Sequence, residues 1–241
     1  MVELRLDNVA NNPNLTFIFF IGLMTLAVLG LRFAFYAYRN RVETGIEMQR
    51  PIWSHLQYIG VLATLYGLAG IVEIVSTLQV PYKSGAMLGM ALILALAIRQ
   101  IHYTATGTNG GSDRAHPFER FARVVFVAVV FFDVVVIFVY GASPLSATIE
   151  GIAALVFGAY GLVFFHDQAS HSRLQGTMLD SLLRHLLPVL TFAALINVVS
   201  IAIPAGLDRV VVLHVQVVFI IMTATALMTA TIKLRQNLAS L

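Results

Sequence analysis

The chain has no cysteine, a single tryptophan, and charged side chains at only 11% of its 241 positions. Without cysteine there are no disulfides, no thiolate catalysis, no iron–sulfur cluster and no covalently attached c-type haem. A soluble domain usually carries roughly a quarter charged residues. Here the deficit accompanies 59% hydrophobic residues and a mean hydropathy of +0.84. A soluble interior cannot hide that much apolar surface, so the solvent for most of this chain is lipid. Lysine is scarce too, with only Lys83 and Lys233 present. The flexible run Thr106-Gly107-Thr108-Asn109-Gly110-Gly111-Ser112 is not followed by Gly-Lys-Ser/Thr, which excludes a phosphate-binding loop. No HExxH or comparable ligand spacing occurs within one helix, so no metal is assigned.

A spanning helix needs about 20 residues, so seven would take roughly 140 and leave about 100 for loops and ends. That leaves no room for a separate soluble domain, and 1–241 reads as one transmembrane unit. The apolar runs predict helices over 15–38, 53–78, 84–103, 121–141, 147–166, 178–203 and 210–232. Outer-membrane strands would be about 10 residues long and would alternate, whereas these runs are twice that length and apolar on every face. The fold class is therefore an all-α, seven-transmembrane helix bundle. The segment from Met1 to Pro13 is polar, has Arg5 as its only basic residue, and does not read as a signal peptide.

Basic residues set the orientation. Arg39, Arg41, Arg50, Arg114, Arg120, Arg173, Lys233 and Arg235 fall on one side, with only Arg5, Lys83 and Arg209 on the other. The positive-inside rule places the N-terminus outside and the C-terminus in the cytoplasm of a multi-pass plasma-membrane protein. The loop from Thr104 to Glu119 reads as a mobile cytoplasmic connector. Arg39, Arg41, Arg50, Arg120 and Arg123 are candidates for contact with anionic lipid, and topology explains the basic residues without nucleic acid. Small-residue pairs mark packing faces on the third helix (Gly85 and Gly89, Ala91 and Ala95) and the seventh (Ala226 and Ala230). Homodimerisation through the third helix, or docking of another membrane protein, is the alternative use of such faces.

Ionisable groups inside apolar spans cost several kcal/mol unless they face the protein interior, so they are the default functional candidates. Glu73, Asp133, Glu150, Asn197, His214 and Gln216 fall in the outer half. Arg32, His55, Gln57, Arg99, His102, Asp180, Arg184 and His185 lie toward the cytoplasm. Glu73 shares a face with Tyr66, Ala69, Gly70 and Ser76, and Asn197 shares one with Ala193, Ala194 and Ser200. Glu150 is near enough to a helix start for a purely dipolar role. Asp133 has Val129, Val130, Val136 and Ile137 as helix neighbours, so it must find a partner elsewhere, either an interhelical hydrogen bond or a transferable proton. His214 is a metal ligand only if Glu73 or Glu150 converges on it. Arg32, Arg99 and Arg184 are expected to snorkel to the cytoplasmic interface, with Asp180 and Arg184 as an i,i+4 pair. His55 and His185, with His102 as a substitute, satisfy the minimum for a bis-histidine haem.

Seven helices with this orientation resemble the microbial rhodopsins, most closely over the last two helices. The residues that carry the resemblance are Leu183-Arg184-His185, the turn Ile203-Pro204-Ala205-Gly206-Leu207, and Thr231-Ile232-Lys233-Leu234-Arg235. The resemblance implies a lysine in mid-helix for a retinal Schiff base, yet Ala226 stands there, and Ala86 stands where a pump has its counterion. Lys83 and Lys233 sit at opposite rims, which excludes covalent retinal, and no other cofactor is assigned. Trp53, at the cytoplasmic start of its helix, reads as an interfacial anchor.

The expected function is a retinal-independent, rhodopsin-like sensor, binding or partner-docking protein with an outer acidic and histidine cluster, a binding protein in preference to an enzyme, with enzyme status left open. Proton or cation translocation through Glu73, Asp133 and His214 toward Thr223, Thr225, Thr229 and Thr231 is one alternative. A membrane metal- or haem-binding enzyme is another.

Overall fold

The computed structural model describes residues 9, 12–44, 49–76, 78, 80, 82–106, 117–141, 143–169 and 178–240. Among them the chain is all-helical: α1 (Pro13–Glu43), α2 (Arg50–Val75), α3 (Lys83–Thr106), α4 (Pro117–Tyr140), α5 (Pro144–Ala169), α6 (Met178–Val198) and α7 (Arg209–Ser240). Six of these are long and apolar enough to cross a bilayer, and α4 contributes a shorter apolar stretch, Val124–Val139. The outer shell agrees with a lipid surround: Phe17, Phe131, Phe138 and Val163 are each at least 65% exposed. This is a helical, multi-pass membrane bundle.

Local chemistry sets the helix ends. At the start of α1, Asn12 Oδ1 accepts from the Leu15 N–H at 3.1 Å, with Pro13 in the first turn, where its missing N–H costs nothing. Before α5, Ser143 and Ser146 cap each other's backbone N–H at 3.0 and 3.2 Å. Asp208 accepts from the Val210 N–H at 2.6 Å to open α7. The turn before it needs Gly206, whose φ of +95° disfavours side chains. The expected helix over 53–78 stops at Val75, because Ser76 is extended and its hydroxyl bonds the Val72 carbonyl at 2.6 Å. Helix α6 gives way to a tighter 3-10 turn, Val199–Ala202, where the sequence suggested continuous helix. In the other direction, α7 runs eight residues past Ile232, to Ser240.

Helix α3 is the hub. It packs against α2, α5 and α6, and lightly against α4, while α1 bridges α2 and α7, and α6 joins α5 to α7. Residues 85–92 of α3 are all buried, and Met87, Met90, Leu94 and Ile98 have no exposure at all. Helix α4 lies outside this ring, touching α3 and α5.

The closest approach is between α1 and α2. A Cβ placed on Gly60 would lie 2.5 Å from Ala34 N and 2.6 Å from Gly30 O, and one on Gly67 would lie 2.6 Å from Leu23 O. Backbone thus rests on backbone, and Thr64 Oγ1 reaches across to the Ala27 carbonyl at 3.3 Å. The sequence placed the small-residue faces on α3 and α7. Of those, Gly85 does abut Val134 of α4, but Gly89 has only ordinary contact with Leu62 at 3.6 Å.

At the opposite end, Asn40 is completely buried and ties α1 to the tail of α7. Its amide donates to the Leu234 carbonyl at 3.0 Å and accepts from Asn237 at 2.5 Å. These bonds, with buried Leu234, explain why α7 continues through the charged run that looked like its end. Trp53 differs from its expected interfacial position: it is 1% exposed and packs in the core, because its face of α2 looks into the bundle.

Candidate functional site

At the end of the bundle where α1 begins, α2 finishes and α3 and α7 begin, so four helix termini meet. The Glu73 carboxylate near the end of α2 forms an ion pair with the Lys83 ammonium at the start of α3. Its second oxygen accepts from the Val80 N–H at 3.1 Å. Ten residues separate the pair in sequence, and the α2–α3 connection folds them together. Beside them lies a cavity of about 380 Å³, lined by Phe19 and Leu23 of α1, Tyr66 of α2, and Arg209 and Leu213 of α7, with Val9 at its rim. Tyr66 is buried and within electrostatic reach of both Glu73 and Glu150.

The next residue on α3 faces a different neighbour. The Glu150 carboxylate of α5 lies within polar reach of Ser84, and of the Asp133 and Lys83 charges. Asp133 of α4 is completely buried, and neither of its oxygens has a hydrogen-bond partner. A buried carboxyl in that condition is costly, and such groups call for a functional account. One residue beyond Glu150, Gly151 rests against the Asn197 carbonyl of α6. Asn197 is 3% exposed with its amide nitrogen unpartnered.

The residues expected in the outer half therefore divide. Glu73 joins the cavity. Glu150 and Asp133, within electrostatic reach of each other, form a second cluster. Gln216 bridges α7 to α6 by donating to the Ile196 carbonyl at 3.1 Å and to Ser200 Oγ at 2.8 Å, and Asn197 lies close by on α6. His214 is exposed, and its Nδ1 meets the Val210 carbonyl at 2.7 Å, one turn back on its own helix. Among the described residues no group of three His, Asp or Glu side chains converges to hold a metal.

The opposite end is built differently. Arg99 was expected to snorkel outward, but it is 4% exposed. Its Nη1 donates to Tyr160 Oη at 3.1 Å and its guanidinium lies 6.0 Å from the Tyr103 ring. Arg184 does reach outward, 61% exposed, and pairs with Asp180 at 3.1 Å as the i,i+4 spacing suggested. His55 and His185 each meet a carbonyl one turn back, at 2.7 and 2.6 Å. They lie on α2 and α6, with α3 packed between those helices. Arg39 pairs with Glu43 and Arg41 reaches Gln57 at 3.5 Å. The side chains of Arg120 and Arg123, and the connector over 107–116, lie outside the described residues.

Thr223, Thr225, Thr229 and Thr231 all bond carbonyls of their own helix, at 2.7 to 2.9 Å, so their protons are committed locally. Sequence reasoning placed Tyr66 on the face of Glu73 but missed Ser84 and Arg209 as neighbours of the polar groups, and considered Lys83 only for orientation and as an unsuitable retinal anchor. A hairpin that brings the end of α2 back beside α3 is the signal that would have paired Lys83 with Glu73. No protein-family model, curated protein or solved structure matches the chain.

Proposed function

We propose that this chain is a seven-span, retinal-independent binding or sensing protein of the membrane, with a small-molecule site at the end where α1 begins. The observation that carries this reading is the 380 Å³ cavity bounded by four helix ends and flanked by the Glu73–Lys83 pair. Its volume falls at the small end of the roughly 300–1,000 Å³ typical of ligand sites. Polar groups from α2, α3 and α7 converge there on an otherwise apolar wall, as such sites require.

Treating α4 as the seventh span is supported by its 24 residues, which at about 1.5 Å each cover the hydrocarbon thickness. The distribution of arginine and lysine supports an outside N-terminus and hence an extracytoplasmic cavity. Architecture and turn spacing resemble the microbial rhodopsins, but their photochemistry has no lysine to run on. The test is a thermal-shift and binding survey of the purified protein with and without Leu213→Trp, which fills the cavity. Ligand-induced stabilisation abolished by the variant supports the site. Unchanged responses in the variant refute it, as does a visible band after retinal is supplied.

A second reading, proton- or cation-linked transport, is favoured by Asp133, whose unpartnered oxygens lie within electrostatic reach of Glu150. Flux in liposomes that disappears in Asp133→Asn would establish it over the first.

A further inference from the structure

The lining of the cavity carries a charge preference. Both oxygens of Glu73 are engaged, one by the Lys83 ammonium and the other by the Val80 N–H at 3.1 Å. The carboxylate therefore has little left to offer a ligand cation, and the lysine charge is already compensated. Arg209 differs. It stands in the first turn of α7, on the cavity wall, and among the described residues no carboxylate lies within ion-pair distance of it. Phe19, Leu23, Ile74 and Leu213 form the apolar part of the lining. Opposite charges, planar forks and apolar walls each select a ligand feature: guanidinium selects a carboxylate or phosphate, and the wall selects a short hydrocarbon body.

We infer that the cavity takes an amphiphilic monoanion of medium length, with its carboxylate on Arg209 and its chain against Phe19, Leu23, Ile74 and Leu213. This rests on the small-molecule site proposed above. A whole diacyl lipid is too large for 380 Å³, so the ligand is a free carboxylate. An anionic headgroup offers the same chemistry, and the experiment separates the two sources. A cationic amphiphile would meet Arg209 and Lys83, with Glu73, the only lining carboxylate among the described residues, already spent.

The test uses the full chain in nanodiscs of zwitterionic lipid, probed with octanoate, octylammonium and octanol, which share a chain and differ in charge. Octanoate is expected to bind saturably and to outbind the other two by about ten- to a hundredfold, the worth of a hydrogen bond to a charged group. Arg209→Gln should erase the difference, and Arg209→Glu should invert it in favour of octylammonium. Because Arg209 is exposed at a helix start, neither change threatens the fold. If octanol or octylammonium binds as well as octanoate, or Arg209→Gln changes nothing, the anion assignment is overturned while the cavity remains a site. If no probe binds and Leu213→Trp has no effect on any of them, both fail together. Adding phosphatidylglycerol to the discs decides the source. Displacement of octanoate that depends on Arg209 identifies a lipid headgroup and overturns the free carboxylate, whereas undiminished octanoate binding supports it.

Discussion

Replacing Gly60 by alanine tests whether backbone contact between α1 and α2 holds this bundle together. The added methyl would sit 2.5 Å from Ala34 N, 2.6 Å from Gly30 O and 2.8 Å from Ala34 Cβ. Ordinary contact begins near 3.4 Å, so the helices must separate by somewhat under 1 Å along a seam that also includes Gly30 and Gly67. Side chains can rotate away from such a clash, but backbone cannot. Overpacking of this kind costs about 1–3 kcal/mol. Between membrane helices the loss is not offset by any hydrophobic gain, because lipid is as apolar as the protein.

The control is Gly89→Ala. Both glycines are in helix interiors, so each substitution gains the same helix propensity, about 1 kcal/mol. At Gly89, however, the nearest atom is Leu62 Cδ1 at 3.6 Å, an ordinary contact. Subtracting one variant from the other cancels propensity and leaves packing. In a reversible denaturation of the purified protein, Gly60→Ala should be less stable than Gly89→Ala by about 1–3 kcal/mol. Gly89→Ala should match or exceed the parent. Equal stabilities for the two variants would refute the claim that α1 and α2 meet through their backbones.

Two further outcomes follow from the opposite end and from the proposed topology. Asn40→Leu removes the bonds to Leu234 and Asn237. It should cost about 1–3 kcal/mol and expose the last turns of α7 to protease, and a tail that stays protected would show that Asn40 is not the clamp. Since the chain has no cysteine, single substitutions report sidedness directly. Ala205→Cys, exposed in the same turn, should react with an impermeant maleimide from outside intact cells and Gln236→Cys only after permeabilisation, and the reverse pattern would invert the orientation.

The sequence revealed the helices better than their contacts. Runs of twenty or more apolar residues leave little choice but helix, because lipid offers no partner for an unpaired backbone group. Their ends were harder, since the charged run after Ile232 reads as a stop signal while the bonds that prolong α7 come from Asn40, almost two hundred residues away. Spacing of small residues locates a face that can pack but not the helix it meets. Gly85 and Gly89 have the familiar four-residue step, yet the tightest seam uses Gly60 and Gly67, seven apart. Depth along a helix placed Glu73, Asp133, Glu150, Asn197, Gln216 and His214 in one half. Azimuth, which sequence gives poorly when every face is apolar, decides that Glu73 meets Lys83 while His214 points outward. Trp53 and Arg99 illustrate the same limit: both were assigned to the interface by residue type, and both turn inward.

Asp133 offers a way to separate a packing role from a functional one. Its helix is lightly attached, and its carboxyl is buried with no hydrogen-bond partner on either oxygen. A group in that state destabilises the fold, and an apolar replacement of similar size relieves the desolvation without leaving a complementary partner stranded. Asp133→Leu should therefore raise stability by about 1–3 kcal/mol, whereas Asp133→Asn, which keeps an amide in the same place, should gain little. On the transport reading proposed above, the more stable leucine variant should be the one that loses any proton- or cation-dependent response. If Asp133→Leu instead destabilises the protein, the carboxyl has a structural partner, and the transport reading loses its only specific support. If it stabilises the protein and every response survives, Asp133 is dispensable, and the cavity beside Glu73 and Arg209 stands alone as the functional centre.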